Sequence, residues 1–108
     1  MIDYKEFKRL YEADNHTPGF IFQFKDKAHE YIIIKYSDSV QFSRCGINDA
    51  TAEYFESLEK LMESNQIDGI NLKHDWDKIT RIYPEGYGGS LKLFCEFHGI
   101  EYRGELID

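Results

Sequence analysis

The segment His74-Asp75-Trp76-Asp77 gathers an imidazole, two carboxylates and the only tryptophan of the chain within four residues. Paired carboxylates beside a histidine can transfer protons or bind a divalent cation, because each group supplies lone pairs. The spacing matches no metal-binding or hydrolase motif, however, and two aspartates one residue apart are common in turns. The segment is therefore interpreted as an Asp-capped turn. Trp76 is either a core residue or, if half exposed among acids, an anchor for a binding partner.

The two cysteines and the remaining histidines predict no catalytic centre. Cys45 and Cys95 are far apart in the chain, and neither has a second cysteine or histidine at ligand spacing. His16, His29 and His98 stand beside predicted turns with no nucleophile at a recognisable spacing. The sequence thus predicts no catalytic residue, no metal ligand and no cofactor, and it predicts two reduced, buried cysteines.

The glycine-rich segment Gly86-Tyr87-Gly88-Gly89-Ser90 has the composition of a loop that cradles a phosphate. Such a loop needs a preceding strand and a following helix whose N-terminus faces the anion. Because residues Leu91 to Phe97 alternate as a strand does, the segment is predicted to be a flexible connection. Tyr87 is then a candidate interface residue, since glycine loops that carry an aromatic side chain occur at binding sites.

Acidic residues are the sharpest feature of the sequence. The net charge is −7, and residues 49–77 hold eight acids against only Lys60 and Lys73. Four glutamates fall on one face of a predicted helix, which is typical either of a solvated surface or of a surface that attracts a basic partner. The candidate partner-binding residues are Glu53, Glu56, Glu59, Glu63, Asp75, Trp76, Asp77 and Tyr87.

The first half of the chain must supply a helix and three strands. Asp3 and Glu6 have the spacing of a helix cap, and the apolar periodicity that follows predicts a helix over Tyr4 to Ala13. Thr17-Pro18-Gly19 should end that helix. Alternating apolar residues and two short polar turns then predict an antiparallel three-strand meander over Phe20 to Arg44.

A second helix is predicted from Asp49 to Ser64. Its apolar residues fall within an arc of about 120°, and Asn48 or Asp49 can cap it. The opening order of helix, three strands and helix is shared with double-stranded RNA-binding domains, but here the second helix has Lys60 alone among glutamates and would repel phosphate. Direct binding of nucleic acid is therefore not expected.

The remaining segments complete a single α+β domain over residues 1–108. Residues 65–89 suit helical turns and strand about equally, whereas Leu91 to Leu106 alternates around a possible His98-Gly99 turn and predicts a closing hairpin. The expected order is α-β-β-β-α-(loop)-β-β. Strands that follow one another favour an antiparallel sheet, and two amphipathic helices need a face to cover, so we expect a two-layer sandwich.

Composition limits the cellular setting. The longest apolar run, Tyr31 to Ile34, is far shorter than the roughly 20 residues that a bilayer requires, so no membrane association is expected. The first residues lack the apolar stretch behind a basic start that marks an export signal. The sequence therefore predicts a cytoplasmic protein.

Charge and motifs together favour a small acidic, non-catalytic binding protein that blocks or regulates a basic surface through the predicted acidic helix. Inhibitors of this kind occur among immunity proteins that neutralise nuclease toxins and among phage-type proteins that imitate nucleic acid, to which the chain is similar in size and charge only. One alternative is a small enzyme or ligand-binding domain with its site between Trp76 and Gly89. Another is a structural subunit whose aromatic-rich sheet packs on a second copy, and the sequence leaves the oligomeric state open.

Overall fold

The computed structural model describes residues 1–14, 19–46 and 50–108. Short 3-10 turns at Ile67–Gly69, Trp76–Lys78 and Tyr87–Gly89 connect some of the longer elements. In chain order the helices and strands are α1 (Tyr4–Ala13), β1 (Phe20–Phe24), β2 (Glu30–Lys35), β3 (Val40–Arg44), β4 (Glu53–Phe55), α2 (Leu58–Glu63), α3 (Leu72–Asp75), β5 (Ile79–Pro84), α4 (Leu91–His98) and α5 (Gly104–Ile107).

The strands form one antiparallel sheet in the order β4-β3-β2-β1-β5. The first four strands are neighbours in sequence and in space, and β5 adds to the free side of β1. This arrangement confirms the predicted α+β class, the antiparallel sheet and the meander. Helix α1 has its predicted bounds, and the Asp3 carboxylate accepts a hydrogen bond from the Glu6 N–H at 2.8 Å.

All five helices place buried side chains in one core on the same face of the sheet. The register pairs Phe20 with Ile33 and Phe22 with Tyr31, so aromatic and β-branched residues of β1 and β2 point together towards the helices. The Phe7 ring of α1 lies 5.5 Å from Phe20 between ring centroids. The other helices add Leu58, Leu61, Leu72, Phe94 and Ile107. The aromatic face of the sheet is therefore covered by helices of the same chain.

The predicted helix over Asp49 to Ser64 is confirmed only in its second half, as the shorter α2, and its predicted first half is wrong. Glu53 to Phe55 form strand β4, which pairs with β3 through Val40 and Phe55. The helix begins only at Leu58, where the Ser57 hydroxyl accepts a hydrogen bond from the Lys60 N–H at 3.1 Å. Aromatic residues at Tyr54 and Phe55 favour a strand when a sheet edge is available. The predicted caps Asn48 and Asp49 lie outside the described residues.

The predicted hairpin over Leu91 to Leu106 is also wrong, because this segment forms α4 and α5. The Ser90 hydroxyl accepts a hydrogen bond from the Leu93 N–H at 3.1 Å and begins α4. Gly99 has a φ of 66° and ends it, which is the usual left-handed cap and not a hairpin turn. The fifth strand of the sheet comes instead from residues 79–84, within the segment whose sequence pattern was ambiguous.

A partly exposed hydrogen-bond network links the turn at Ile67–Gly69 to the sheet. The Tyr31 hydroxyl donates a hydrogen bond to Asp68 at 2.6 Å, and the Arg44 guanidinium donates two, at 2.7 and 2.8 Å. These bonds from Arg44, and then that from Tyr31, hold the pKa of the Asp68 carboxyl well below its usual range. Burial, together with Asp68, raises the pKa of Tyr31.

Among the described residues, no helix is long and apolar enough to cross a membrane.

Single substitutions at Phe94 and Phe97 test the helical structure of α4. Phe94 is 0% exposed and Phe97 is 76% exposed, whereas a strand with Leu91, Leu93 and Phe97 facing inwards would bury Phe97. We expect Phe94→Ala to lower the free energy of unfolding by about 3 to 5 kcal/mol and Phe97→Ala by less than about 0.5 kcal/mol. Urea unfolding of dilute protein, followed by circular dichroism, measures both. The opposite ranking would contradict the helix.

Asp68→Asn should change how stability depends on pH. Asparagine tolerates the φ of 59° at this position but carries no charge. The folded-state pKa of Asp68 lies below its unfolded value, so the carboxylate stabilises the fold above about pH 4 and this contribution is lost as the pH falls further. At pH 7 the variant should be less stable by about 1 to 2 kcal/mol. Urea unfolding should show this difference shrinking towards about pH 2, and a constant difference would refute the assignment.

Candidate functional site

A groove of about 630 Å³ lies between the start of α1, helix α2 and helix α3. Its floor is apolar and its rim carries three carboxylates. We call it the acidic groove. It is lined by Met1, Tyr4, Glu59, Met62, Glu63, Lys73, His74, Trp76 and Asp77.

Trp76 forms part of the floor of the acidic groove, and its own contacts hold it in place. Its indole N–H donates a hydrogen bond to the Ile2 carbonyl at 2.7 Å, and the Tyr4 ring meets its ring edge-on at 5.1 Å between centroids. Only 9% of Trp76 is exposed, so it is a core residue that presents one edge to the groove. Tyr4 is half-buried and supplies the more accessible aromatic surface.

Helix α2 supplies two of the three rim carboxylates. Glu59 and Glu63 are one turn apart and lie on the same side of the helix. The Lys8 ammonium is 3.1 Å from the Glu59 carboxylate, and the Lys60 ammonium is 3.8 Å from that of Glu63. A hydrogen bond from its own backbone N–H, and then the Lys8 side chain, lower the pKa of the Glu59 carboxyl. Glu59 is therefore ionised at neutral pH.

A second, more polar groove adjoins the first. It measures about 500 Å³ and runs between α1 and the turn that joins β2 to β3, with Glu56 and Glu59 on one wall and Lys8 and Lys35 on another. Glu59 lines both grooves and joins them. The exposed residues Glu56, Glu59, Glu63 and Asp77 thus border one continuous pair of grooves.

Two of the predicted site residues hold the local fold instead. The Glu53 carboxylate accepts a hydrogen bond from the Ile67 N–H at 2.8 Å. The Asp75 carboxylate accepts one from the Asn71 N–H at 2.8 Å and lies 3.5 Å from the Lys78 ammonium. Asp75 therefore closes a turn, in agreement with the interpretation of its segment. Because Glu53 belongs to β4 and not to a long helix, it does not share a face with the other glutamates.

Tyr87 is separated from the acidic groove by the length of β5. This six-residue strand spans about 20 Å between the turn that holds Trp76 and the turn that holds Tyr87. Tyr87 packs 5.5 Å from Phe94 and 5.4 Å from Phe97 between ring centroids. The segment Trp76 to Gly89 therefore does not gather its functional candidates into one site.

The glycine-rich segment lies between a strand and a helix, contrary to its predicted place before a hairpin. It forms a tight turn in which Tyr87, Gly88 and Gly89 all have φ values between 58° and 76°. The Gly89 N–H donates to the Gly86 carbonyl at 3.0 Å, and the Ser90 N–H donates to the Tyr87 carbonyl at 3.1 Å. Internal hydrogen bonds thus use these two amides, which an anion-binding loop would direct at its ligand.

Sequence reasoning missed Tyr4, Met62 and Lys8 as parts of the site. Tyr4 opens α1 at a position that gives no functional signal, and helical spacing assigned Met62 to the core. Lys8 reaches Glu59 across 51 positions of sequence. Only the tertiary arrangement of α1 against α2 brings Tyr4 and Met62 to the acidic groove and Lys8 to the second groove beside it.

The cysteines lack the properties of nucleophiles. Both are free thiols; Cys95 is buried as predicted, whereas Cys45 is half-buried just after β3. Burial raises the pKa of both thiols, and Glu30 and Glu85 raise that of Cys45 further. Both are therefore mainly protonated at neutral pH, which disfavours attack on a substrate. Within the described residues, no group of three or more His, Cys, Asp or Glu side chains could hold a metal ion.

No protein-family model matches the chain, and neither the curated proteins nor the solved structures contain a match. The chemistry of the acidic groove therefore rests on its own residues. Carboxylates around an aromatic and aliphatic floor suit a ligand that is both cationic and partly apolar.

Thiol labelling tests the environment of both cysteines. A maleimide should modify Cys45 slowly at about pH 7 and faster as the pH rises, because only the thiolate reacts. Cys95 should react only after unfolding in urea. In Cys45→Ser, the single remaining thiol should be protected in the folded protein, as mass spectrometry can show. Rapid native modification of Cys95 would contradict its burial.

Proposed function

We propose that this chain is a small acidic, non-catalytic binding protein that recognises a basic protein partner through the acidic groove and blocks it. The partner class that fits is a nuclease toxin or another enzyme whose positive surface binds nucleic acid, so the chain would act as an inhibitor of the immunity-protein type. The observation that carries this proposal is the pairing of an apolar floor with the carboxylates of Glu59, Glu63 and Asp77 in one groove.

The lining of the groove supports a lysine or arginine side chain as the feature recognised. Such a side chain has an apolar stem that can pack on Met62 and the Trp76 edge while its charged head meets the rim carboxylates. The Tyr4 ring offers a face for a cation. Lys73 and His74 on the same rim then restrict where the cation can sit, which favours a defined pose over diffuse attraction.

Overall charge supports the same partner. A net charge of −7 on 108 residues repels nucleic acid and speeds encounter with a basic protein. The free thiols of Cys45 and Cys95 fit a reducing compartment, which supports the proposed cytoplasmic location.

Neutralising the α2 carboxylates tests the proposal. The probes are purified nuclease domains with a net positive charge, applied to the immobilised chain in surface plasmon resonance. We expect at least one probe to bind. Its association rate should fall as the salt concentration rises, because at physiological ionic strength attraction between charges is screened beyond about 8 Å. In the double variant Glu59→Gln/Glu63→Gln that rate should fall severalfold, because steering is lost.

The matched control is Glu85→Gln/Glu105→Gln, which removes the same charge from exposed positions outside the groove. It should bind like the unmodified chain. Both variants should unfold at nearly the unmodified temperature, because exposed ion pairs contribute little to stability. Equal losses of association rate in the two variants would show that net charge alone acts and would refute the groove as the docking site.

A further inference from the structure

Helix α4 is apolar on two faces. Leu91, Phe94 and Cys95 are buried in the core, as expected for one face of an amphipathic helix. Leu93 and Phe97 lie one turn apart on another face, where they are 42% and 76% exposed. A helix that is apolar on both sides is normally covered on both sides, so the outer face of α4 has the character of an interface.

The neighbouring turn enlarges this outer face. Tyr87 has a φ of 58°, a conformation that costs free energy for a residue with a Cβ atom. In that conformation its ring lies 5.4 Å from the Phe97 ring between centroids. The fold thus maintains a strained residue that adds aromatic surface beside Phe97. We call Tyr87, Leu93 and Phe97 the α4 patch.

The charges that flank the α4 patch are self-complementary. Lys92 and Glu96 are both exposed and are one turn apart on α4. When a helix packs against a second copy of itself in antiparallel orientation about a two-fold axis, each contact occurs twice with the two residues exchanged. Lys92 of one copy then lies beside Glu96 of the other, and Glu96 beside Lys92. The patch is locally neutral, so the net negative charge of the chain is not concentrated there.

We propose that the α4 patch is the interface of a symmetric dimer in which Leu93 and Phe97 pack against the same residues of a second copy. This proposal is independent of the proposed function. Among the described residues that line the acidic groove, none belongs to α4. The two surfaces therefore use different side chains, and either can exist without the other.

Sedimentation equilibrium over about 1 μM to 1 mM tests the dimer. The unmodified chain should form a concentration-dependent dimer, and Phe97→Gln should raise its dissociation constant at least about tenfold. Glutamine is a good helix former and position 97 is exposed, so circular dichroism should show an intact fold. The matched control is Tyr54→Thr, which removes an aromatic ring that is 63% exposed on β4 and should leave the dissociation constant unchanged.

Charge reversal tests the two-fold arrangement. Lys92→Glu and Glu96→Lys should each weaken the dimer, because each places like charges in contact across the interface. Combining them restores opposite charges on both sides and should return the dissociation constant to the unmodified value. Because the single reversals also place like charges one turn apart within α4, circular dichroism must show unchanged helix content in each variant, so that the change in dissociation constant reports the contact between the two copies.

Four results would overturn the proposal. The first is an unmodified chain that stays monomeric at about 1 mM. The second is a dimer that Tyr54→Thr weakens and Phe97→Gln does not, which would assign the interface to the sheet. The third is a charge-reversed double variant that dimerises no better than the single variants. A monomer in which Phe97→Gln abolishes binding of a basic nuclease domain would assign the patch to that partner and would equally overturn the dimer.

Discussion

The packing of Phe7 between the sheet and Trp76 holds together the parts of the chain on which the candidate site depends. The Phe7 ring lies 5.3 Å from Phe22 and 5.7 Å from Trp76 between centroids. Trp76 in turn donates its N–H to the Ile2 carbonyl, 74 positions away in sequence. A buried indole N–H needs a hydrogen-bond acceptor, so the hydrogen bond to Ile2 and the packing against Phe7 favour the same orientation of the Trp76 side chain. The floor of the acidic groove is therefore an exposed edge of the main core.

The sequence alone predicts those helices and strands whose ends are marked by capping residues or polar turns. Helix α1 and strands β1 to β3 follow from the cap at Asp3 and from alternation bounded by polar turns. Strand β4 could not be predicted in this way, because Glu53 to Phe55 become a strand only through pairing with the edge of β3. The Ser57 cap is a local signal for a helix that begins at Leu58, although the apolar periodicity of the sequence extends further towards the N-terminus.

The acidic residues show why the site was only partly predictable. A helical wheel places Glu53, Glu56, Glu59 and Glu63 on one helix face, whereas in the structure these four side chains make different contacts. Glu53 bonds to a backbone amide and Glu59 pairs with Lys8, while Glu56 and Glu63 are exposed at groove walls. Charge counted along the sequence therefore overstates the charge available to a partner. The number of carboxylates that reach one groove depends on contacts between distant segments.

The α4 patch gives a physical reason for the misread hairpin. Leu93 and Phe97 complete an alternating series with Leu91 and Cys95, and an ordinary surface helix would carry polar residues at those two positions. The caps at Ser90 and Gly99 specify a helix regardless. Exposed apolar residues on a helix are expected where that surface contacts another molecule, because such residues contribute little to the fold of the single chain. The proposed dimer and the proposed inhibitor site thus rest mainly on different interactions: burial of an apolar patch stabilises the dimer, whereas the acidic groove attracts its partner by charge, which salt screens.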